Sequence, residues 1–364
     1  MDTMRVAVIG HTGRGDYGHG LDEVWRSIPG CEIVAVADAD PQGRAAALQR
    51  LHVTQGYADY RQMLDEVQPQ IVSIGPRWID QHCDMVVAAA ERGVHIYLEK
   101  PFCRTLAEAD QMVAACERHQ VKLAIAFQTR YSPKLRVVRA MIESGRIGKV
   151  LELRARGKED ARGGGEDLWV LGSHVLNLMH HFGGEPHWCF GTVQQDGQAI
   201  TRQDVRDGAE GIGPLAGDRV QAMYQLDDGV VGFFASQRHA AGNRFGLQIL
   251  GSQGVIELLT GYLPAVHVLD DPTWSPGRSG KPWVPVSSAG PGQPEPLEDG
   301  GLPAGNVAAC SDLIQAIAQD RQPEANVYEA RQSVAMISAV FESQRLGQPV
   351  SLPLATRVNP LTLL

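Results

Sequence analysis

Glu99-Lys100-Pro101 sets an acid and an amine directly behind the apolar run Val94-His95-Ile96-Tyr97-Leu98. That run reads as a buried parallel strand, and the proline, which has no backbone N–H to donate, forbids its continuation. A lysine at the carboxyl end of such a strand points into the crevice where doubly wound sheets bind ligands. An ammonium in a partly dry crevice gives up its proton more readily than one in water. Lys100 can therefore exchange a proton with a substrate hydroxyl.

A second constellation follows the strand Arg5–Ile9: Gly10-His11-Thr12-Gly13-Arg14-Gly15-Asp16-Tyr17-Gly18. Glycines after a first strand let the backbone approach a pyrophosphate, whose charge the N-terminus of the next helix favours. The expected contacts are Gly10, His11, Thr12, Gly13 and Gly15, with a helical stretch following through Trp25. Thr12 stands where Gly-x-Gly-x-x-Gly has its second glycine, so the turn departs from the usual form. Asp38 closes the second strand, Ile33–Ala37, where a carboxylate accepts the adenosine ribose hydroxyls and repels a 2′-phosphate. This favours NAD over NADP, with Asp40 a competing candidate.

A third candidate is His174, in Leu171-Gly172-Ser173-His174-Val175-Leu176-Asn177. The segment reads as a helix whose apolar residues enter a core, and its histidine is either a proton carrier or a structural group. His180, His181, His187 and Cys189 match no zinc spacing, so no metal is expected.

The elements that must hold these groups follow from the patterning. Strands and helices alternate through the first third, which implies a parallel sheet with right-handed crossovers. Beyond residue 128 the texture changes to alternating segments: 150–156, 219–226, 230–237, 245–250 and 255–259. Asp228-Gly229 and Gly251–Gly254 give hairpin signals between them. The fold class is therefore α/β, with an N-terminal Rossmann domain over 1–127. An α+β domain with a large, open, mostly antiparallel sheet follows over 128–364. Residues 271–305, dense in proline and glycine, read as a long loop or arm, and the last helix spans 327–346.

With 42 acidic against 33 basic residues, a net charge of -9 and no basic block, neither nucleic acid nor a membrane surface is an expected partner. No apolar run is long enough to span a bilayer. Met1-Asp2-Thr3-Met4 leads almost directly into a strand, which leaves no room for a secretory signal. Six scattered cysteines fit reduced thiols in a cytoplasm.

Several motifs together resemble the glucose–fructose oxidoreductase / inositol dehydrogenase / rhizopine-catabolism (Gfo/Idh/MocA) family. They are Ile74-Gly75-Pro76 with His82, Leu98-Glu99-Lys100-Pro101-Phe102, Arg130-Tyr131-Ser132-Pro133 and Ser144-Gly145-Arg146-Ile147-Gly148. The resemblance implies a nicotinamide cofactor and oxidation or reduction at a sugar or cyclitol carbon. It implies that Lys100 lies beside nicotinamide and substrate, with Pro76 and Glu99 near the cofactor. The alternating strands of the second sheet leave a face, with Val231 and Phe233 outward, for self-association, and the resemblance implies a homodimer or homotetramer built on it.

One departure matters. The family often has Asp-x-x-x-His and a further Asp three residues on, whereas here Val170 and Asn177 flank His174. Asp167, or Glu166, would have to supply the missing carboxylate. Arg130 and Asn177 are the expected substrate contacts. The alternatives are a glycoside hydrolase-like enzyme using transient oxidation and elimination, and a non-catalytic NAD- or sugar-binding sensor.

Overall fold

The structure, a computed structural model, describes residues 3–240 and 244–364 and divides into two compact units. Met1 and Asp2, the start of the segment expected to lead into the first strand, lie outside the described residues. The first unit takes in Met1–Gln128, Ala209–Gly213 and Leu302–Arg331. Its strands are β1 (Met4–Ile9), β2 (Cys31–Ala37), β3 (Gly56–Tyr57), β4 (Ile71–Ile74), β5 (His95–Leu98) and β6 (Leu123–Ile125). They pair in parallel in the order β3-β2-β1-β4-β5-β6. Every residue of β4 is fully buried, as a strand covered by helices on both faces must be. The order reverses between β1 and β4, and a crevice opens there at the carboxyl ends of the strands.

The crossover helices are α1 (Pro41–Leu51), α2 (Tyr60–Val67), α3 (His82–Ala90) and α4 (Leu106–Arg118). Their starts are set by side chains that satisfy otherwise unpaired backbone donors. Asp40 accepts from Gly43 N–H, Asp59 from Arg61 N–H and Thr105 from Glu108 N–H.

The helix expected between Gly20 and Trp25 does not form; a short 3₁₀ turn, Val24–Ser27, stands in its place. Gly13, Gly15, Gly18 and Gly20 adopt φ of 80, 89, 66 and 82°, a backbone that no α-helix can use. These glycines fold the loop back on itself.

The second unit contains Thr129–Gly208, Pro214–Gly301 and Gln332–Leu364. Its long strands are β7 (Val150–Arg156), β8 (Trp188–Gln195), β9 (Arg219–Gln225), β10 (Val231–Gln237), β11 (Gly246–Gly251), β12 (Val255–Leu259), β13 (Val266–Leu269) and β14 (Val284–Ser287). They run in the order β14-β13-β12-β11-β7-β10-β9-β8 within an eleven-stranded sheet. Only the β10–β7 pair among these is parallel. The expected arm at 271–305 is thus partly wrong. β14 joins the sheet beside β13, and a helix begins at Gly301 and runs to Ala318. Its residues 302–318 return to the first unit.

One face of the second sheet is packed. The helices α5 (Pro133–Glu143), α6 (Gly165–Val170) and α7 (Gly172–Gly183) belong to this unit, and α6 and α7 lie against the sheet. α7 packs so closely that a Cβ on Gly232 would lie 2.5 Å from the Met179 sulfur. The other face carries Phe190, Met223 and Phe233 side by side in register.

Candidate active site

Two buried carboxylates stand at strand ends of the first sheet. At β5, Glu99 is fully buried and Lys100 only 7% exposed. Glu99 Oε1 pairs with His19 Nδ1 at 2.7 Å. Its Oε2 is buried without a hydrogen-bond partner among the described residues. His19 is fixed in turn: Asn306 Nδ2 donates to its carbonyl at 2.9 Å. Asn306 Oδ1 accepts from the Tyr97 hydroxyl at 2.8 Å and from Gln128 Nε2 at 3.1 Å. His82 is fully buried, with Nε2 2.7 Å from Pro76 O and Nδ1 3.1 Å from Phe102 O. It thereby ties the turn after β4 to the segment that carries Lys100. Burial holds its pKa below the usual histidine range, while both carbonyls pull the other way. Sequence reasoning missed His19 and Asn306. Asn306 sits on a remote helix that no motif announces.

At β2 the arrangement differs. Asp38 is 1% exposed. Its Oδ2 accepts from the Thr12 hydroxyl at 2.7 Å, the Tyr17 hydroxyl at 2.9 Å and Thr12 N–H at 3.1 Å. Its Oδ1 accepts from Asp40 N–H at 3.0 Å. Thr12 is wedged against the first turn of α1, where a Cβ on Gly43 would meet its hydroxyl at 1.8 Å. The Tyr17 ring covers Gly10. Burial and the adjacent Asp38 charge push the Tyr17 phenol up, so it remains a proton donor.

The loop between these strand ends lies on the crevice itself. A Cβ on Gly15 would come within 2.3 Å of Arg77 N, and one on Gly18 within 2.4 Å of Gly75 O. The N–H groups of His11, Gly13, Arg14, Asp16 and Gly18 all donate within the loop. A dinucleotide laid here would meet these side chains and find Asp38 taken. To use Asp38, the adenosine end of the cofactor must displace the Thr12 and Tyr17 hydroxyls from it. The β5 end keeps an acidic oxygen with no donor among the described residues.

In the second unit, His174 and Asn177 share a face of α7, three residues apart. Asn177 is fully buried and His174 packs edge-on to Phe245, ring centroids 6.1 Å apart. His181 lies one turn further along the same helix. Burial and the nearby Arg130 and Arg139 charges hold its pKa down to about 2. Arg130 is itself buried.

Asp167, the carboxylate expected to complete a relay, is bonded elsewhere. Its oxygens accept from the Ser236 hydroxyl and from the N–H groups of Lys158 and Glu159. Burial pushes its carboxyl up, and its bonds fasten the segment before α6 to β10. Glu166 faces Arg206 at 3.7 Å. Among the described residues, no group of three His, Cys, Asp or Glu side chains is placed to hold a metal ion. No helix among them is long and apolar enough to cross a membrane.

Comparison with known proteins agrees with this geometry at the level of the fold. Residues 4–127 match the model of an oxidoreductase family with an NAD-binding Rossmann fold, and residues 135–257 match the GFO/IDH/MocA C-terminal domain. The chain is 28% identical over 248 residues to levoglucosan dehydrogenase of Pseudarthrobacter phenanthrenivorans, covering 61% of this chain and 63% of that one. It is 26% identical over 343 residues to D-apiose dehydrogenase of Paraburkholderia graminis, covering 90% and 85% of the two chains. A solved levoglucosan dehydrogenase in complex with NADH and L-sorbose superposes with a TM-score of 0.78 at 21% identity, over 97% of this chain and 100% of that one. The two family matches together span most of the chain, and the cofactor class they carry is NAD. The chain belongs to the Gfo/Idh/MocA family of NAD-dependent oxidoreductases.

Proposed function

We propose that this oxidoreductase acts on a CH–OH carbon of a sugar, sugar derivative or cyclitol, with Lys100 accepting the hydroxyl proton and His174 assisting. The observation that carries this reading is the nearly complete burial of Lys100 at the carboxyl end of β5. A lysine amine held at such a strand end can serve as the general base toward an alcohol. Bound NAD supplies the acceptor for the hydride. Glu99, clamped by His19, fixes the backbone from which Lys100 projects. His174 and Asn177, on one face of α7, offer polar groups for hydroxyls of the substrate, and Arg130 offers a charged donor. Asp167 has no part in this reading.

Relatives named for levoglucosan, D-apiose and myo-inositol support a polyol substrate. Six unpaired thiols suit a reducing cytoplasm.

Lys100→Met tests the assignment. Turnover should fall by about two to four orders of magnitude, the range for a lost general base. Binding of NADH, followed by its fluorescence, should persist. Near-normal turnover in this variant would remove Lys100 from the chemistry.

A further inference from the structure

We propose that Tyr17 and Thr12 set how tightly this chain holds its dinucleotide, because their two hydroxyls occupy Asp38 as a ribose diol would. The proposal rests on reading the crevice at the ends of β1, β2 and β4 as the NAD site.

A carboxylate has room for about four acceptor contacts. Asp38 already receives the Thr12 hydroxyl at 2.7 Å, the Tyr17 hydroxyl at 2.9 Å, Thr12 N–H at 3.1 Å and Asp40 N–H at 3.0 Å. With the residue 1% exposed, a ligand cannot add its hydroxyls to this set and must displace part of it. The two groups that can leave are the side-chain hydroxyls, since the backbone donors are fixed by the turn and by the start of α1. Two hydroxyls on one carboxylate are also the donor set that an adenosine ribose presents to a strand-end acid.

The rest of the loop is built for the same competition. The Tyr17 ring covers Gly10, and the Tyr17 carbonyl lies 2.9 Å from where a Cβ of Gly75 would stand. Arg50 stacks over the Tyr17 ring at 4.9 Å. The Asp16 carboxylate accepts from Gly13 N–H at 2.9 Å, which keeps the turn closed on itself. Where a phosphate would find free backbone donors, this loop has supplied its own acceptors. Binding therefore exchanges Tyr17 and Thr12 for the ribose, and the cofactor's affinity is reduced by what those two bonds are worth.

The variants are Tyr17→Phe and Thr12→Val, each removing one competing hydroxyl with little change of shape. Calorimetry on the full chain would use three probes: ADP-ribose, which carries the adenosine end, NAD, and nicotinamide mononucleotide, which lacks that end. Each variant should bind ADP-ribose and NAD about tenfold more tightly, as for one lost hydrogen bond to a charged acceptor. Nicotinamide mononucleotide should bind as before. Thermal melts confirm that each variant is folded, and if Tyr17→Phe does not fold, Thr12→Val decides alone. Unchanged or weaker ADP-ribose binding in a folded variant would overturn the proposal. If the unmodified chain and the variants bind neither ADP-ribose nor NAD, the crevice reading falls and takes the proposal with it.

Discussion

The two sheets of this chain bury their side chains in different ways, and that decides where each can do chemistry. The first is covered on both faces, with β4 fully buried, so polar function is confined to strand ends. Asp38, Glu99 and Lys100 all stand there. The second sheet is packed on one face only. Its candidate polar groups, His174 and Asn177, ride on the covering helix α7, while its other face shows Phe190 at 38% and Phe233 at 37% exposure. A sheet covered twice concentrates its chemistry at an edge. A sheet covered once leaves a surface for something else to cover.

The largest effect that could break this contrast lies at Asp38. If the β2 end is a saturated structural carboxylate, Asp38→Asn turns one acceptor into a donor facing Thr12 and Tyr17. Stability should then fall by about 3 kcal/mol, the scale of a buried polar group left mismatched beside charged-group hydrogen bonds. Urea denaturation reads this directly, and an unmoved midpoint would mean that the loop does not depend on Asp38.

The open face is tested by its apolar row. Phe190, Met223 and Phe233 are cross-strand neighbours, with Arg154 next in line, and a cavity of about 420 Å³ lies over them. An exposed apolar row of this kind marks an interaction surface, and a second copy can pair with it face to face. Light scattering should show a dimer or tetramer that Phe190→Lys with Phe233→Lys converts to monomer. A wild-type chain that stays monomeric at micromolar concentration contradicts the assignment.

The smallest effect near neutral pH concerns the helix covering that sheet. His181 is held at about 2 by burial and by the Arg130 and Arg139 charges, below its unfolded value of about 6.5. The folded state therefore resists protonation. The stability this gives is fully present above pH 6.5 and is lost as pH falls below it, by at most about 1.4 kcal/mol per pH unit. His181→Asn should flatten the acid limb of the stability profile, and an unaltered slope would assign that limb to other groups.

Periodicity and turn chemistry made much of this fold legible. α1, β4, β7 and the final helix, Val327–Leu346, were visible in the sequence because apolar spacing, Gly turns and prolines all agreed there. The helix expected after the β1 loop was misread for a physical reason. Glycine permits both a phosphate turn leading into a helix and a loop closed on itself, and sequence alone does not separate them. The helix Gly301–Ala318 was hidden by the proline and glycine of its first turn. Lys100 was singled out because Pro101 marks the strand end, and β5 does end at Leu98. His19 was not, because its partner Glu99 is distant in sequence and close only through the order β1-β4-β5. Spacing along a helix could not reveal that Ser236, on β10, holds Asp167.

The central claim is that the strand-end lysine serves net oxidation of a polyol. Absorbance of NADH, with NAD supplied in excess and a panel of sugars, anhydrosugars and cyclitols, tests it most directly. NADH should form in equal amount to a keto product with at least one member of the panel. NAD bound in the same preparation but no NADH formed with any polyol, or a glycoside cleaved without net NADH, would contradict it.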